Sequence, residues 1–172
     1  MRSSSALLLG VGSLCVAWSA IADPLMSAEW ADKACKSFNS NPILTGELAN
    51  DWIKNNGGRG YKVVHLYRTD CGENTKVEMR IVAKGGKAIC EYGGKVKAAS
   101  LNLDMDYVMH SKTEYWKEMG AGQYGPMRAM FTGALKFDGP MFEAMSVMGP
   151  FEQFLLLPGK IPGDDICPPG NK

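Results

Sequence analysis

The sequence lacks any charge excess and contains few residues that could carry catalytic chemistry. Its 172 residues include 19 Lys and Arg, 18 Asp and Glu, and only two histidines. There is no basic run that could neutralise nucleic-acid phosphates. There is also no G-x-S-x-G nucleophile elbow, no paired-histidine zinc motif and no phosphate-binding loop. The sequence therefore predicts a protein that is not an enzyme, needs no cofactor or metal and does not bind nucleic acid.

Two residue pairs are candidate catalytic groups. His110 and Ser111 are adjacent, and neighbours in a strand or helix do not face each other, so Ser111 is interpreted as a helix cap. Asp104 and Asp106 are two residues apart and could act as paired carboxylates. They alternate with apolar residues on a predicted strand, so we expect both to face solvent.

The first 22 residues have the three parts of a cleaved secretory leader. Arg2 gives a positive start, residues 6–18 are uncharged and mostly apolar, and residues 20–22 are Ala-Ile-Ala, a site that signal peptidase reads. A retained membrane anchor is the alternative, because the whole uncharged run, residues 3–22, is about as long as the roughly 20 residues that span a bilayer. We expect cleavage after residue 22 and a periplasmic or secreted protein. Removing Arg2 leaves 18 basic and 18 acidic residues, a formal net charge of zero.

Four cysteines remain after the leader, and none stands in a C-x-x-C pair. An even number in an exported chain favours two disulfides. Four buried thiols are the alternative, and the spacing disfavours zinc. The predicted strands separate Cys71 from Cys90 by about 20 Å at roughly 3.3 Å per residue, beyond the Cα limit of about 7 Å for a disulfide. That excludes one of the three possible pairings. If the second helix runs antiparallel to the first strand, its start approaches the end of that strand and brings Cys35 towards Cys71, so we predict the pairs Cys35–Cys71 and Cys90–Cys167.

Alternating apolar and polar residues, with turn signals between them, predict five strands. Gly85-Gly86 marks a tight hairpin between the second and third strands, which places Cys90 opposite Ile81. The predicted strands cover residues 61–68, 77–83, 88–92, 100–109 and 134–137.

Helices are predicted on both sides of these strands. Ser27 caps a first helix, and a second begins near Pro42. After the fourth strand, Ser111 to Glu114 has capping-box spacing, and Pro126 begins a short helix. A long helix follows residue 140, and Pro150 should kink or break it.

The succession of elements after residue 105 resembles a known family. A strand ends at residues 106–109, a capped helix follows, and a short helix covers Gly-Pro-Met-Arg-Ala-Met-Phe-Thr-Gly at 125–133. Ala-Leu-Lys-Phe at 134–137 then precedes a glycine-led helix. This order resembles the sterol carrier protein type-2 family over residues 42–157. The resemblance implies a mixed α/β fold in which helices cover a five-stranded, mostly antiparallel sheet and enclose an apolar tunnel that binds sterols, acyl chains or other lipids without catalysis.

The resemblance also sets the expected organisation of the chain. Residues 1–22 are the leader, 23–41 a helical extension, 42–157 the lipid-binding domain and 158–172 a Pro/Gly-rich tail. The leader, the four cysteines and the absence of a C-terminal Ser-Lys-Leu peroxisomal address depart from the family pattern.

Apolar residues of the C-terminal third are the predicted ligand contacts. Eight methionines fall between residues 105 and 148, and their flexible thioethers suit a cavity that adapts to different apolar shapes. Core filling and, less plausibly, copper binding are the alternatives. The predicted lining consists of Trp116, Met127, Met130, Phe131, Leu135, Phe137, Met141, Met145, Met148, Phe151 and Phe154.

The sequence thus predicts extracytoplasmic binding or transfer of an apolar ligand, with lipid as the partner and transient contact with a membrane. A structural or protein-interaction module with a filled core is the alternative.

Overall fold

Residues 22–171 are described by the computed structural model, so all of the predicted leader except its last residue lies outside the described residues. The described part of the chain starts with three helices. The Ser27 side chain caps the first by accepting a hydrogen bond from the N–H of Trp30 at 3.1 Å. The Asn41 side chain caps the second, which begins at Pro42 as predicted. These helices are α1 Ala28–Asn39, α2 Pro42–Glu47 and α3 Asp51–Lys54.

A five-stranded sheet follows, in the order β3-β2-β1-β4-β5. Only β1 and β4 pair in parallel, so the prediction of a mostly antiparallel sheet is confirmed. Gly85 and Gly86 form the β2–β3 turn with φ of 59° and 73°, and Cys90 lies opposite Ile81 as predicted. The strands are β1 Tyr61–Arg68, β2 Val77–Lys84, β3 Lys87–Lys95, β4 Tyr107–Ser111 and β5 Lys136–Asp138.

Five more helices come from the C-terminal part of the chain. Pro126 begins α5 as predicted. The expected long helix is two helices separated at Val147, because a proline at position 150 lacks an N–H and clashes with the carbonyl four residues earlier. The helices are α4 Thr113–Gly120, α5 Pro126–Thr132, α6 Met141–Ser146, α7 Met148–Leu155 and α8 Leu157–Lys160.

The hydrophobic core lies between one face of the sheet and the helices. Val64 and Leu66 of β1 share this face, and α1 packs over β3. A Cβ on Gly93 of β3 would collide with the carbonyl of Ala31, so this close packing requires glycine. Trp30 and Phe38 of α1 belong to the same core cluster, so residues 23–41, the predicted helical extension, pack against the same core as the rest of the described chain.

The fourth strand is shorter than predicted, because Asp106 turns inward. Asp106 is buried, makes two hydrogen bonds with Arg59 at 2.7 and 3.0 Å, and accepts others from the N–H groups of Val63 and Asn102. The prediction that Asp106 faces solvent is therefore wrong. Asp104 is exposed, as predicted.

The cap of α4 also differs from the prediction. Asp70 accepts a hydrogen bond from the N–H of Thr113 at 3.0 Å, whereas the Ser111 hydroxyl donates to the carbonyl of Ala134. Ser111 is the last residue of β4, so its side chain is directed across the sheet instead of at the helix.

The four cysteines form two disulfides, but the predicted pairing is wrong. Cys35 pairs with Cys90, and Cys71 pairs with Cys167. The prediction brought Cys35 to the end of β1, whereas α1 lies along β3, where Cys90 is located. Cys71 and Cys90 are not bonded to each other, as predicted.

The C-terminal tail returns to the end of β1. The Arg68 guanidinium is buried and donates to the carbonyls of Leu25, Asp165 and Ile166. These hydrogen bonds hold both ends of the described chain beside Cys71, which explains why the tail cysteine reaches it. Across residues 22–171, no helix combines the length and apolar character needed to cross a membrane.

Candidate functional site

An apolar cavity lies between the sheet and the helices. Its walls come from α1, α3, Leu48 just after α2, the four strands β1, β2, β4 and β5, and the helices α6 and α7. Rings contact one another along one side: Trp52 stacks on Tyr107 with centroids 5.8 Å apart, and Phe137 lies 5.5 Å from Tyr107 and 5.8 Å from Phe151. An apolar lining of this kind suits hydrocarbon.

The cavity is small in this structure. The space open to the centre of a water-sized sphere is about 40 Å³. One water needs about 10–15 Å³ on this measure, and pockets for small molecules usually enclose about 300–1,000 Å³. A lipid therefore fits only if a wall moves.

The predicted ligand contacts do not all converge on this cavity. Three of the eleven line it: Phe137, Phe151 and Phe154. Two others, Trp116 and Leu135, are buried in the core cluster. Met130 and Met148 are partly buried and pack against that cluster. Their roles in ligand binding stay predictions.

The remaining four predicted residues are exposed: Met127 and Phe131 on α5, and Met141 and Met145 on α6. Both helices are short. The buried residues of α5 are Pro126 and Ala129, and the buried residue of α6 is Ala144. Phe131 is 94% exposed, and Phe142, which the sequence analysis did not select, is 90% exposed. Large exposed apolar side chains on neighbouring segments are a feature of interaction surfaces.

A buried polar cluster adjoins the cavity at Trp52 and Tyr107. Lys62, at the start of β1, has a fully buried side chain. Its Nζ lies 2.5 Å from Oε2 of Glu143 on α6 and donates to the carbonyl of Trp52 at 3.1 Å. The Tyr107 hydroxyl donates to the same Glu143 oxygen and accepts a hydrogen bond from Nε1 of Trp52 at 2.9 Å.

Aromatic rings complete the surroundings of this lysine. Nζ of Lys62 lies 4.5 Å from the Trp52 ring centroid and 5.1 Å from that of Tyr107. Burial lowers the pKa of Lys62 below its ordinary value, and the Glu143 carboxylate partly opposes this decrease. Burial also raises the pKa of the Tyr107 hydroxyl well above its usual range, and Glu143 adds to the increase. The hydroxyl therefore stays protonated and acts as a donor to the carboxylate.

Sequence reasoning missed Lys62 and Glu143. One signal was available, because Lys62 alternates in phase with Val64 and Leu66 and so belongs to the core face of β1. No comparable sequence pattern indicated Glu143, which is 81 residues away from Lys62.

Another buried carboxylate, Glu78, lies on the other face of the sheet. It accepts hydrogen bonds from the N–H groups of Lys97 and Ala98 at 2.9 and 2.7 Å and from Arg80 at 3.0 Å, and His65 Nε2 lies 3.3 Å away. Burial alone would raise the pKa of Glu78, but the bonds from His65, the two N–H groups and Arg80 lower it to about 2. This network fixes the segment that crosses the outer face of the sheet and does not touch the cavity lining.

Metal chemistry finds no support in the part of the chain that the structure describes. Between residues 22 and 171, no three His, Cys, Asp or Glu side chains are grouped so that they could hold a metal ion.

Comparison with known proteins identifies one family. The model of the SCP-2 sterol transfer family matches residues 57–152, which is more than half of the chain. No curated protein matches the sequence significantly.

Several solved structures are similar at low identity. A sterol carrier protein 2 crystal structure is 15% identical, covers 80% of this chain and 98% of its own, and has a TM-score of 0.49. The sterol carrier protein domain 2 of Helicoverpa armigera is 21% identical, with coverages of 80% and 95% and a TM-score of 0.39. Sterol Carrier Protein 2 of Yarrowia lipolytica is 16% identical, with coverages of 76% and 89% and a TM-score of 0.39. These scores are too low to support a functional conclusion, which rests on the family match and on the site itself.

Proposed function

This chain belongs to the SCP-2 sterol transfer family, and from that premise we propose that it binds an apolar lipid in the cavity between the sheet and α6–α7, without catalysis. Burying about ten methylenes contributes on the order of 8 kcal/mol. Association opposes binding by several kcal/mol, so ten methylenes alone leave an affinity in the millimolar range, and micromolar binding requires a longer buried chain or polar contacts. The lipid class suggested by the family is a sterol, a fatty acyl chain or a similar molecule.

The observation that carries this proposal is the aromatic-lined cavity beneath a small, separate helix. Helix α6 is six residues long and is bounded by Gly139, with φ of 143°, and by the non-helical Val147. Ala144 of α6 lines the cavity. Because breaks flank α6 on both sides, it is the wall that can move with the least disturbance of the sheet, and its displacement would enlarge the cavity.

Filling the cavity tests the proposal. Ala144→Phe places a ring in the space that the lipid would use, so we expect at least a tenfold weaker affinity for a fluorescent C18 lipid. Ser146→Phe is the matched control, because Ser146 is exposed on the same helix. Near-ultraviolet circular dichroism checks the fold, and Ala144→Leu replaces the phenylalanine variant if that variant does not fold. Unchanged affinity in a folded Ala144 variant would refute the proposal.

The small volume of the cavity favours a second candidate, an interaction module whose core is filled by its own side chains. The two candidates differ in what accompanies the protein from its native compartment. Native mass spectrometry followed by solvent extraction should recover a lipid in near-stoichiometric amount if the protein is a carrier. A protein that carries no lipid and binds none of a panel of sterols, fatty acids and phospholipids supports the interaction module.

We also propose that the protein contacts membranes transiently when it loads or releases the lipid. The exposed apolar residues of α5 and α6 support this, because such side chains can enter the headgroup boundary. Met145→Glu should slow lipid transfer between vesicles at least fivefold, whereas Glu152→Gln, an exposed change on α7, should not. Equal transfer rates would show that α6 does not meet the membrane.

Export from the cytoplasm is the third part of the proposal. Two disulfides are consistent with an extracellular protein. N-terminal sequencing of the accumulated protein should give Asp23 as the first residue. An intact Met1 on the mature pool would refute cleavage.

A further inference from the structure

The buried lysine beside the cavity points to the chemistry of the ligand. An ammonium group in the interior requires a negative partner, because desolvation of an unpaired charge is strongly unfavourable. The partner of Lys62 is Glu143, and the same carboxylate oxygen accepts from the Tyr107 hydroxyl. Two donors of the body of the fold, one on β1 and one on β4, thus converge on one carboxylate oxygen supplied by α6.

The site of this carboxylate adjoins the cavity through shared side chains. Trp52 and Tyr107 surround Lys62 with their rings and also line the cavity. Ala144 lines the cavity one position after Glu143. Movement of α6 away from the sheet would therefore open the apolar space and expose Lys62 to it in one step.

We propose, building on the lipid-binding function, that the ligand is a long-chain carboxylic acid whose carboxylate replaces that of Glu143 on Lys62 and Tyr107, while its hydrocarbon chain fills the aromatic cavity. In the closed structure Glu143 occupies the head-group position and holds α6 in place. Ligand and helix compete for the same two donors, so only the open form binds the ligand. The apparent affinity is therefore lower than the intrinsic affinity in proportion to the fraction of protein that is open. A neutral lipid of the same length can bury its chain in the cavity but offers no carboxylate to the Lys62 ammonium.

The experiment compares stearate with methyl stearate, which has the same chain and no charge. Each is titrated against a neutral fluorescent probe bound to the mature protein, and the ratio of the two affinities measures acid preference. We expect wild type to prefer the acid at least tenfold. Lys62→Met should bring the ratio close to one, and Glu143→Gln should tighten stearate binding about tenfold or more, because the competing carboxylate is gone.

Two further variants make the result decisive. Tyr107→Phe keeps the ring and removes one donor, so it should lower acid preference severalfold, and it serves if Lys62→Met does not fold. Glu152→Gln removes the same charge from an exposed position of α7 and should leave both affinities unchanged.

The possible results separate the two proposals. If both lipids bind and the ratio is the same in wild type, Lys62→Met and Tyr107→Phe, the carboxylate site is refuted and lipid binding stands. If neither lipid binds to wild type or to Glu143→Gln, the proposed function fails together with this inference.

Discussion

The two members of the Lys62–Glu143 pair should contribute unequally to stability. Glu143→Gln leaves the Lys62 ammonium fully buried without a carboxylate. Removing one partner of a buried pair typically costs about 3–5 kcal/mol. Lys62 can instead deprotonate, and for an ordinary pKa of about 10.4 this costs about 4.6 kcal/mol at pH 7. The expected loss for Glu143→Gln is therefore about 3–4.6 kcal/mol.

Lys62→Met should be milder. The side chain of Glu143 is 15% exposed and belongs to a six-residue surface helix, so its carboxylate can turn towards water. The variant loses mainly one charged hydrogen bond, worth about 1.5–3 kcal/mol, and methionine keeps most of the apolar stem against the rings. In the double variant the costs should not add, because the residues interact directly.

The pH dependence of Glu143→Gln provides an independent check. The folded-state pKa of Lys62 is lowered, and without Glu143 it should decrease further. Between that pKa and the unfolded value, the unfolded chain binds more protons than the folded one, so the free energy of unfolding increases with pH. The gap between wild type and Glu143→Gln should therefore shrink from pH 7 to pH 9.

Urea unfolding at these two pH values, followed by tryptophan fluorescence, measures all four proteins. Two results would refute the conclusion that Lys62 is the buried charge that depends on Glu143. One is that Lys62→Met is more destabilising than Glu143→Gln. The other is that the stability difference between wild type and Glu143→Gln does not change with pH.

Two further predictions concern the rest of the fold. The folded pKa of Glu78 is about 2, below its unfolded value, so on the order of 3 kcal/mol of stability should be present above pH 5 and decrease as the pH falls to 2. In urea unfolding, Glu78→Gln should show a smaller loss of stability between pH 5 and pH 2 than wild type, and an equal loss would contradict the network. Replacing Cys71 and Cys167 by serine opens a loop with a sequence separation of 96, which should cost up to about 4.7 kcal/mol. Mild reductant should lead to alkylation of this pair before Cys35 and Cys90, which are 5% and 3% exposed, and the opposite order in peptide mass spectrometry would contradict the placement.

Local patterns predicted the sheet where neighbours in sequence are neighbours in space. The hairpin of β2 and β3 follows from alternation and from two glycines, and it placed Cys90 opposite Ile81 correctly. The fourth strand failed at Asp106, because its inward turn depends on Arg59, 47 residues earlier. The disulfide pairing failed for the same reason, since it depends on which strand α1 covers.

The predicted ligand contacts show the same division. Phe151 and Phe154 line the cavity, whereas Met141 and Met145 are exposed. The single helix predicted from residue 141 to the proline at 150 would carry Met141, Met145 and Met148 together. The break at Val147 separates Met148 from the other two and changes the direction of the chain. Periodicity describes a face only as far as the helix continues.

The core face of β1 carries two buried cations, and their partners distinguish a structural role from a binding role. Arg68 donates to three backbone carbonyls near the two ends of the described chain. Main-chain acceptors held in place by the fold and by the Cys71–Cys167 disulfide cannot be exchanged without unfolding those ends. Lys62 also uses one carbonyl, but its charge is balanced by a side chain from a short helix with breaks on both sides. A carboxylate that a small helix supplies can be replaced by one that a lipid supplies, and for that reason the binding chemistry is assigned to Lys62 and not to Arg68.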